Sequence, residues 1–420
     1  MMLGLIGGTI DQGNPSICVG IRPRPKEKDI VTTIASSDPA TVGLDPAALQ
    51  RLVAAIQADI DQGQTAGAAI IVARGGEIGC REVLGHVAPG RAAAADDLYL
   101  LMSLSKSFAA SLVLRAVDHG RFTLDTHAAD VLPEFGVAGK KGITVRQLLN
   151  HTAGIFPALP PPPPLGFDDL GNLAKVVTAI SAVPVAYPPG TQCSYAPTAG
   201  HAVLAQMLVV TDPAKRSFST IAQEDLFKPL GMVDTRYGMS LDEPRRVPTF
   251  YTERKTTPST TAAANMLNTF MPKGEVPAGN AYGTVDDAFR FAEVMRRRGS
   301  NGGYRLMSPA LFDYASQNHT GDMSNGAVQF YILEHGMPDF PVNFSLLGGY
   351  VRGHGHHLTG AGHTASPRAF YAVGGGSTMW LVDPERDLTF VFLCAGLLDG
   401  LAHFERLQRL SDLALAACTD

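Results

Sequence analysis

The sequence predicts an α/β (α+β) fold in which strands from the two ends of the chain enclose a helical middle. Two short β-rich runs lie within residues 67–85, and two more lie within residues 378–396. Between about residues 124 and 295 the chain reads as helices and loops. This order predicts an α/β lobe closed by the two chain ends, with a mostly helical lobe inserted into it.

The same pattern sets the predicted domain boundaries. Residues 1–40 show little periodicity and are expected to form an N-terminal extension. The α/β lobe is predicted over about residues 41–115 and 290–420, and the helical lobe over about residues 116–289. Both lobes are expected to belong to one domain, residues 41–420.

The first elements are a helix and a hairpin. Asp45 can cap the helix, and Pro46 suits its first turn. Four apolar residues at helical spacing share one face of it: Leu49, Leu52, Val53 and Ile56. Gly75 and Gly76 then separate the first two β-rich runs, which is typical of a β-hairpin.

The later elements are predicted from helix-capping residues, turn residues and prolines that break regular structure. Thr144 can cap a short helix in "ITVRQLLNHTAG". The proline run Pro160–Pro164 can form neither a helix nor an inner strand. Two further strands are predicted, "TMWLVDP" and "LTFVFLCAG", joined by the turn "PERD". Trp380, on the first of them, is expected in the core. A terminal helix is expected from about Leu401 to Ala416.

Composition excludes several classes of function. The 420 residues carry a net charge of −5 with both signs scattered, so no basic face indicates nucleic acid. No apolar run approaches the roughly 18 residues of a membrane span. The N-terminus lacks a basic region before an apolar stretch, so we expect no signal peptide and a cytoplasmic protein. Five scattered cysteines without a CxxC pair are predicted to be reduced thiols: Cys18, Cys80, Cys193, Cys394 and Cys418.

A serine and a lysine form the candidate nucleophile. Lys106 lies in the apolar stretch 98–117, three residues after Ser103, and residues three apart share a helix face. Burial and the positive end of a helix dipole both lower the pKa of a lysine, and a neutral Lys106 could take the Ser103 proton. The N–H of Ser103 could also bind an oxyanion. A bare S-x-x-K by itself favours the simpler alternative, a lysine that reaches solvent beside an ordinary helix serine.

That stretch is the first of six ordered blocks. The others are "GRFTLDTHAADVLPEFG", "ITVRQLLNHTAGI", "YPPGTQCSYAPTAGHAVLAQML", "LFKPLGMVDTRY" and "SPRAFYAVGGGSTMWLVDPERDLTFVFL". Together they resemble the serine β-lactamase and penicillin-binding-protein superfamily over about residues 44–415, above all its class C β-lactamase-like branch, which includes the family VIII carboxylesterases. The resemblance implies a β-lactamase-like fold, with an antiparallel sheet flanked by helices.

The second motif of that branch is Y-x-N, and Tyr195-Ala196-Pro197 stands in its place. An ammonium nearby favours a phenolate, so the resemblance implies that Lys106 and Tyr195 share one proton and pass it from Ser103 to a leaving group. The alternative is a structural tyrosine whose hydroxyl caps a loop. In β-lactamases the asparagine helps to hold the acylamino side chain of the substrate, so Pro197 argues against tight β-lactam binding.

The third motif is K-T-G in β-lactamases and H-x-G or W-G-G in relatives, and Ala372-Val373-Gly374 takes its place. Alanine offers no charge for the carboxylate that β-lactams carry. The glycines let a strand approach a substrate closely, and we expect the Gly375 N–H to be the second oxyanion donor, or that of Gly374 or Gly376 if the alignment slips by one. The alternative is a plain hairpin bulge.

The remaining candidates are mostly histidines. Four of them cluster in one stretch: His354, His356, His357 and His363. His-x-His on a strand can bind zinc, but no Cys, Asp or Glu lies near these four, so a solvated loop is favoured over a metal site. His151 is expected to be structural, near a helix end. His201, Gly374 and Gly376 are candidate pocket residues. The sequence contains neither a phosphate-binding glycine motif at a strand–helix junction nor a G-x-S-x-G elbow.

We therefore predict a serine hydrolase that cleaves small carboxylic esters through an acyl-enzyme on Ser103. Lys106 and Tyr195 are its general base and acid, and the amides of Ser103 and Gly375 are its oxyanion donors. The alternatives are a β-lactamase, a D-amino-acid amidase or peptidase, an acyltransferase, or a non-enzymatic sensor of the penicillin-recognising type. We expect no metal or organic cofactor, a small-molecule ester or amide as partner, and neither nucleic acid nor membrane; the oligomeric state stays open.

Overall fold

The computed structural model describes residues 34–419, apart from 156–162, 327–328, 330–332, 334–335, 337–338, 356–357 and 399. Its helices are α1 Pro46–Asp61, α2 Ser105–Asp118, α3 Ala128–Val131, α4 Val145–Leu149, α5 Leu173–Ala182, α6 Ala199–Val210, α7 Phe218–Ala222, α8 Pro258–Phe270, α9 Val285–Arg296, α10 Pro309–Ala315 and α11 Gly400–Leu415. Its strands are β1 Gly67–Arg74, β2 Glu77–Ala88, β3 Arg91–Ala92, β4 Tyr99–Leu100, β5 Arg236–Tyr237, β6 Ala281–Gly283, β7 Tyr350–Val351, β8 Phe370–Gly374, β9 Thr378–Asp383 and β10 Leu388–Ala395. Most of the predicted extension and of the proline run lies outside the described residues.

The main sheet joins strands from the two ends of the chain. Its order is β3-β2-β1-β10-β9-β8-β7, and each of these strands is antiparallel to its neighbours. At its centre β1 pairs with β10, with Gly67 opposite Ala395 and Arg74 opposite Leu388. This confirms the predicted antiparallel sheet flanked by helices.

Both faces of the sheet are buried. In β1, Ala69, Ile71 and Ala73 pack in one hydrophobic cluster, while Ala68, Ile70 and Val72 pack in another. Successive side chains of a strand point to opposite faces, so the continuous apolar run of β1 fits a strand covered on both sides. The second cluster includes the inward faces of α1 and α11, and the first includes those of α2, α6 and α9.

A second, three-stranded sheet was not predicted. It has the order β4-β6-β5, with Tyr99 opposite Gly283 and Arg236 opposite Tyr282. Strands of two or three residues are too short to show an alternating pattern, so a sequence cannot reveal them. This sheet matters because β4 leads directly into the turn that carries Ser103.

Several local predictions are confirmed. Asp45 caps α1 by accepting hydrogen bonds from Ala47 and Ala48. Gly75 and Gly76 adopt φ values of 63° and 88° between β1 and β2, in the left-handed region that favours glycine and that a tight hairpin turn requires. Thr144 caps α4, the terminal helix is α11, and Trp380 is buried in the core.

The described cysteines are free thiols: Cys80, Cys193, Cys394 and Cys418. Cys18 lies outside the described residues. No helix in the described ranges combines the length and the apolar character that a bilayer crossing requires.

Candidate active site

Ser103 lies on a 3₁₀ turn rather than in the helix that the sequence predicted around it. The turn spans Met102–Leu104, and α2 begins only at Ser105. Met102 has a φ of 49°, a left-handed conformation that is unfavourable for a non-glycine residue and that redirects the chain from β4 into the turn. Such outliers persist where surrounding structure fixes them, as it does here.

The second sheet and its flanking loop hold this turn in place. The N–H of Leu101 donates to the carbonyl of Ala281 at 2.9 Å, and the N–H of Ala281 donates to Ser105 Oγ at 3.0 Å. The buried Tyr237 hydroxyl donates to the Ser105 carbonyl at 2.9 Å. The start of α2 is therefore fixed by residues from β5 and β6, more than a hundred positions away.

Lys106 is enclosed beneath Ser103. Its side chain is fully buried, with a relative exposure of 1% for the residue. Lys106 Nζ donates to Ser103 Oγ at 3.0 Å and to the Ala278 carbonyl at 3.1 Å. Burial lowers the pKa of Lys106 below its ordinary value, and the charge and hydrogen bond of Tyr195 act in the opposite direction. The amine is thus held where it can exchange a proton with its neighbours.

Tyr195 completes a three-membered cluster with Ser103 and Lys106. Its hydroxyl lies 2.6 Å from Ser103 Oγ, and Lys106 Nζ lies 4.8 Å from the centroid of its ring. The backbone N–H of Tyr195 donates to Asn325 Oδ1 at 3.1 Å. Asn325 itself lines the cavity described below, and sequence reasoning missed it because it lies 130 positions from the tyrosine.

His151 is buried behind the cluster, at the end of α4 as expected of a structural histidine. Its Nδ1 accepts a hydrogen bond from the Ala196 N–H at 3.1 Å, and its ring lies 4.8 Å from that of Tyr195. Burial, and to a lesser degree Lys106, lowers the pKa of His151 to about 3. A neutral imidazole therefore supports the tyrosine segment at neutral pH.

The glycine turn between β8 and β9 lies against the nucleophile turn. A Cβ on Gly374 would lie 2.1 Å from Thr378 Oγ1 and 2.5 Å from the Leu101 carbonyl, so only glycine fits there. Gly375 is exposed and has nothing within 4 Å of an added Cβ, whereas Gly376 is buried against Leu397. Of the three glycines, only Gly375 lines the cavity that Ser103 also lines.

That cavity has a volume of about 310 Å³. Its lining is mostly apolar and aromatic: Ser103, Tyr195, Asn325, Phe340, Pro341, Val342, Tyr350, Leu358, Thr359, Tyr371, Val373, Gly375, Gly400, Leu401, His403 and Phe404. None of these described lining residues is an aspartate, glutamate, lysine or arginine. The size and the lining are typical of a pocket for a small, uncharged organic molecule.

His201 does not lie in this lining. It is completely buried in α6, with its ring 5.7 Å from that of His151. Burial, with smaller contributions from Lys106 and His151, holds its pKa well below the ordinary value. His201, which the sequence suggested as a pocket residue, is thus part of the packing behind the site, because α6 packs against α2.

The histidine-rich loop is only partly described. His354 and His363 are exposed, while His356 and His357 lie outside the described residues. His363 Nδ1 lies 3.9 Å from Asp412 Oδ2. Within the described ranges, no three His, Cys, Asp or Glu side chains are grouped as a metal site would require.

One wall of the cavity was missed altogether. Its residues Gly400, Leu401, His403 and Phe404 come from the first turn of α11, about 300 positions after Ser103. No local motif marks them, because a helix of ordinary amphipathic pattern gives no sign of which cavity it borders.

Comparisons with known proteins show the family to which the chain belongs. Residues 49–413 match the model of the Beta-lactamase family. Penicillin-binding protein 4 of Amycolatopsis lactamdurans is 32% identical over 233 residues, which cover 54% of this chain and 58% of that protein. Esterase EstB of Burkholderia gladioli is 28% identical over 324 residues, which cover 69% of this chain and 79% of that one. The chain thus matches little more than half the length of the first relative.

Solved structures show the same fold. A family VIII carboxylesterase superimposes with a TM-score of 0.71 at 22% identity, over 89% of this chain and 99% of that one. A penicillin-binding protein homologue from Caulobacter crescentus gives the same TM-score, identity and coverage. These matches confirm the predicted fold.

Proposed function

Because the chain belongs to the beta-lactamase family, we propose that it is a serine hydrolase that cleaves small carboxylic esters. One observation carries the proposal: Ser103 Oγ lies within hydrogen-bond distance of both the Lys106 amine and the Tyr195 hydroxyl, at the edge of an apolar cavity. A serine with two proton acceptors at hand is the arrangement that nucleophilic catalysis requires.

The acylation step needs the Ser103 proton to leave as Oγ attacks the ester carbonyl. The proton passes to the neutral Lys106 amine or to the Tyr195 oxygen, both of which lie within hydrogen-bond distance of Ser103 Oγ. The bond from the carbonyl carbon to the alkoxy oxygen then breaks, and Tyr195 returns a proton to the departing alcohol. The acyl group remains on Ser103.

The amides of Ser103 and Gly375 would stabilise the negative charge on the carbonyl oxygen in the tetrahedral intermediate. Such a donor is worth roughly 2.7–4 kcal/mol in a well-studied protease. The close fit of Gly374 against Leu101 supports this role, since it brings the glycine turn beside the nucleophile turn. Water then attacks the acyl carbon and gives a proton to Lys106 or Tyr195. The bond from that carbon to Ser103 Oγ breaks, Ser103 Oγ takes the proton back, and the acid leaves.

An uncharged ester suits this cavity better than a β-lactam does. No described lining residue carries a positive charge that would hold a carboxylate. Pro197 and Ala372 replace an asparagine and a lysine that the resemblance would otherwise supply. Transferring a carboxylate from water into such a site without a cationic partner is strongly unfavourable.

The test compares p-nitrophenyl butyrate, nitrocefin and a D-alanyl amide. We expect turnover of the butyrate alone, lost in Ser103→Ala and retained in the matched control Ser107→Ala, whose Oγ has no hydrogen-bond partner among the described residues. An active-site serine probe should add its mass to the peptide that contains Ser103. Equal turnover of nitrocefin would overturn the preference for esters, and stable acylation without turnover would indicate a sensor.

The reaction as proposed uses only side chains and amides of this chain. We further propose that its partner is a small-molecule ester in the cytoplasm rather than a nucleic acid or a membrane surface. Separating cells into cytoplasmic, periplasmic and membrane fractions, followed by detection of the chain, tests that location.

A further inference from the structure

The first turn of α11 forms a wall of the cavity that the mechanism above does not use. Leu401 and Phe404 present apolar surface there, and His403 lies between them. His403 has a relative exposure of only 6%, and its ring packs against Phe404 with centroids 4.7 Å apart. A buried polar side chain in an apolar wall usually has a hydrogen-bond partner.

His403 has no such partner among the described residues. Its Nδ1 is enclosed and unpaired, and neither ring nitrogen makes a hydrogen bond to any residue in the described ranges. A neutral imidazole carries a single N–H, and an enclosed N–H without an acceptor is less favourable than an enclosed lone pair without a donor. The hydrogen is therefore better placed on Nε2, which is not enclosed, and the ring is left with an unused donor.

His403 and Tyr371, two described lining residues, are both uncharged near neutral pH. Burial lowers the pKa of His403 to about 4, and Arg406 contributes in the same direction. Burial likewise raises the pKa of Tyr371, another lining residue, to about 12. A ligand in this space therefore meets a neutral donor and aromatic surface, and no described lining residue offers it a cationic counterion.

The acyl group is the part of the substrate that such a wall can select. The alcohol must leave after acylation, whereas the acyl group stays bonded to Ser103 until water releases it. The carbonyl oxygen of the ester is assigned to the amides of Ser103 and Gly375, so an acceptor for His403 must be a different atom.

We propose that His403 donates a hydrogen bond to a neutral acceptor oxygen on the acyl chain of the substrate. This inference rests on the proposed function and specifies its substrate class: uncharged esters whose apolar acyl group carries a keto or ether oxygen beyond the scissile carbonyl. His403 is thus a specificity residue and not a group that takes part in the proton transfers.

The test uses three matched kinds of p-nitrophenyl ester. The first is the hexanoate, the second is a set of hexanoates with a keto oxygen at carbon 4 or carbon 5, and the third is the adipate monoester, which ends in a carboxylate. We expect one keto ester to exceed the hexanoate by about fivefold in kcat/KM, the effect of one net hydrogen bond, and the anionic ester to be the poorest.

Two variants separate recognition from folding. His403→Leu should abolish the preference for the keto ester by raising its KM, so that the ratio of kcat/KM for the keto ester to kcat/KM for the hexanoate falls to about one. His403→Gln retains an N–H donor of similar reach and should preserve part of the preference. Circular dichroism and the melting temperature of both variants establish that they are folded.

Three outcomes would overturn the inference. The first is an active wild type without a preference for any keto ester, and the second is a preference that persists in His403→Leu. The third is an equal loss for all three kinds of ester in His403→Leu, which would place the residue at the ester group itself. Failure of the proposed function gives a different result, because the wild type would then not turn over even the plain hexanoate.

Discussion

At the scale of single residues, the chemistry depends on where one proton resides. Lys106 is enclosed by protein, and two of its three ammonium hydrogens have acceptors in Ser103 and the Ala278 carbonyl. Burial favours the neutral amine, while Tyr195 favours the ammonium. The two effects oppose each other, which keeps both protonation states of the lysine within reach of the reaction.

Removing either proton acceptor should reduce ester turnover by a large factor. We expect Lys106→Met and Tyr195→Phe each to lower kcat at least about 100-fold, the lower range for a general base. Lys106→Arg should not restore the rate, because a guanidinium does not give up its proton. Steady-state kinetics with p-nitrophenyl butyrate measure this.

Lys140→Met is the control for the loss of a buried lysine. Lys140 is as buried as Lys106, but its Nζ donates to the carbonyls of Val137 and Val183 and it does not line the cavity. The Lys140→Met variant should retain the kcat of the wild type even if its melting temperature falls. Normal kcat in Lys106→Met would contradict the assigned role.

The pH dependence follows from the direction of the Lys106 shift. The neutral amine is the form that accepts a proton, so kcat/KM should rise with pH through an apparent pKa below that of an ordinary lysine. Since Tyr195 raises the pKa of Lys106, Tyr195→Phe should move the residual acid limb to lower pH. A pH–rate profile for both proteins tests this, and an unshifted or upward-shifted limb in the variant would contradict the coupling.

At the scale of elements, the site depends on two turns and a strand that meet. The nucleophile turn at Met102–Leu104 is fixed by β6 on one side and by the glycine turn after β8 on the other. Thr378 Oγ1 also donates to the Leu101 carbonyl at 3.4 Å. The position of Ser103 is therefore set by backbone from distant parts of the chain.

Gly374 and Gly375 offer a matched pair of substitutions. Gly374→Ala should lower both kcat and the free energy of unfolding, the latter by about 1–3 kcal/mol, because its Cβ would overlap Thr378 and Leu101. Gly375→Ala has open space and should keep the stability of the wild type, with any loss confined to substrate binding. Urea unfolding and ester kinetics distinguish the two, and equal stability of both variants would refute the close approach.

The elements that the sequence predicted well are those with long or local signals. The hairpin at Gly75 and Gly76, the cap at Asp45, and the S-x-x-K pair all lie within a few residues of their cause. The start of α2, the second sheet and the cavity wall at His403 depend on contacts between distant segments, which no local pattern encodes. His201 illustrates the same limit, because proximity to Tyr195 along the chain did not place it in the cavity.

At the scale of the whole molecule, the two ends of the chain hold the α/β part together. β1 pairs with β10, and α1 packs beside α11 on the same face of the sheet. Between these helices Asp59 accepts hydrogen bonds from Arg409 at 2.6 and 2.8 Å and lies 3.7 Å from Arg406. The Arg406 side chain is almost fully buried, so this ion pair lies in a setting of weak solvent screening.

Breaking this contact should destabilise the fold more than breaking a surface ion pair does. Asp59→Ala leaves Arg406 as an uncompensated buried charge, and we expect a loss of about 3 kcal/mol in the free energy of unfolding. Arg51→Ala is the control, because Arg51 is exposed and its pair with Asp45 spans 3.8 Å; it should change the stability by less than about 1 kcal/mol. Urea unfolding at neutral pH measures both.

A second substitution separates the effect of the unpaired Arg406 charge on stability from that of a general loss of packing. If the unpaired charge is responsible, Asp59→Ala combined with Arg406→Met should recover part of the lost stability, because the methionine removes the charge and still fills the space between α1 and α11. If simple packing is responsible, the second substitution adds to the loss of stability instead.

Since α11 also carries His403, a destabilised contact between α1 and α11 should weaken ester binding before the fold is lost, and the KM of Asp59→Ala for p-nitrophenyl butyrate should rise. An unchanged KM in Asp59→Ala would show that the cavity wall is held independently of this ion pair.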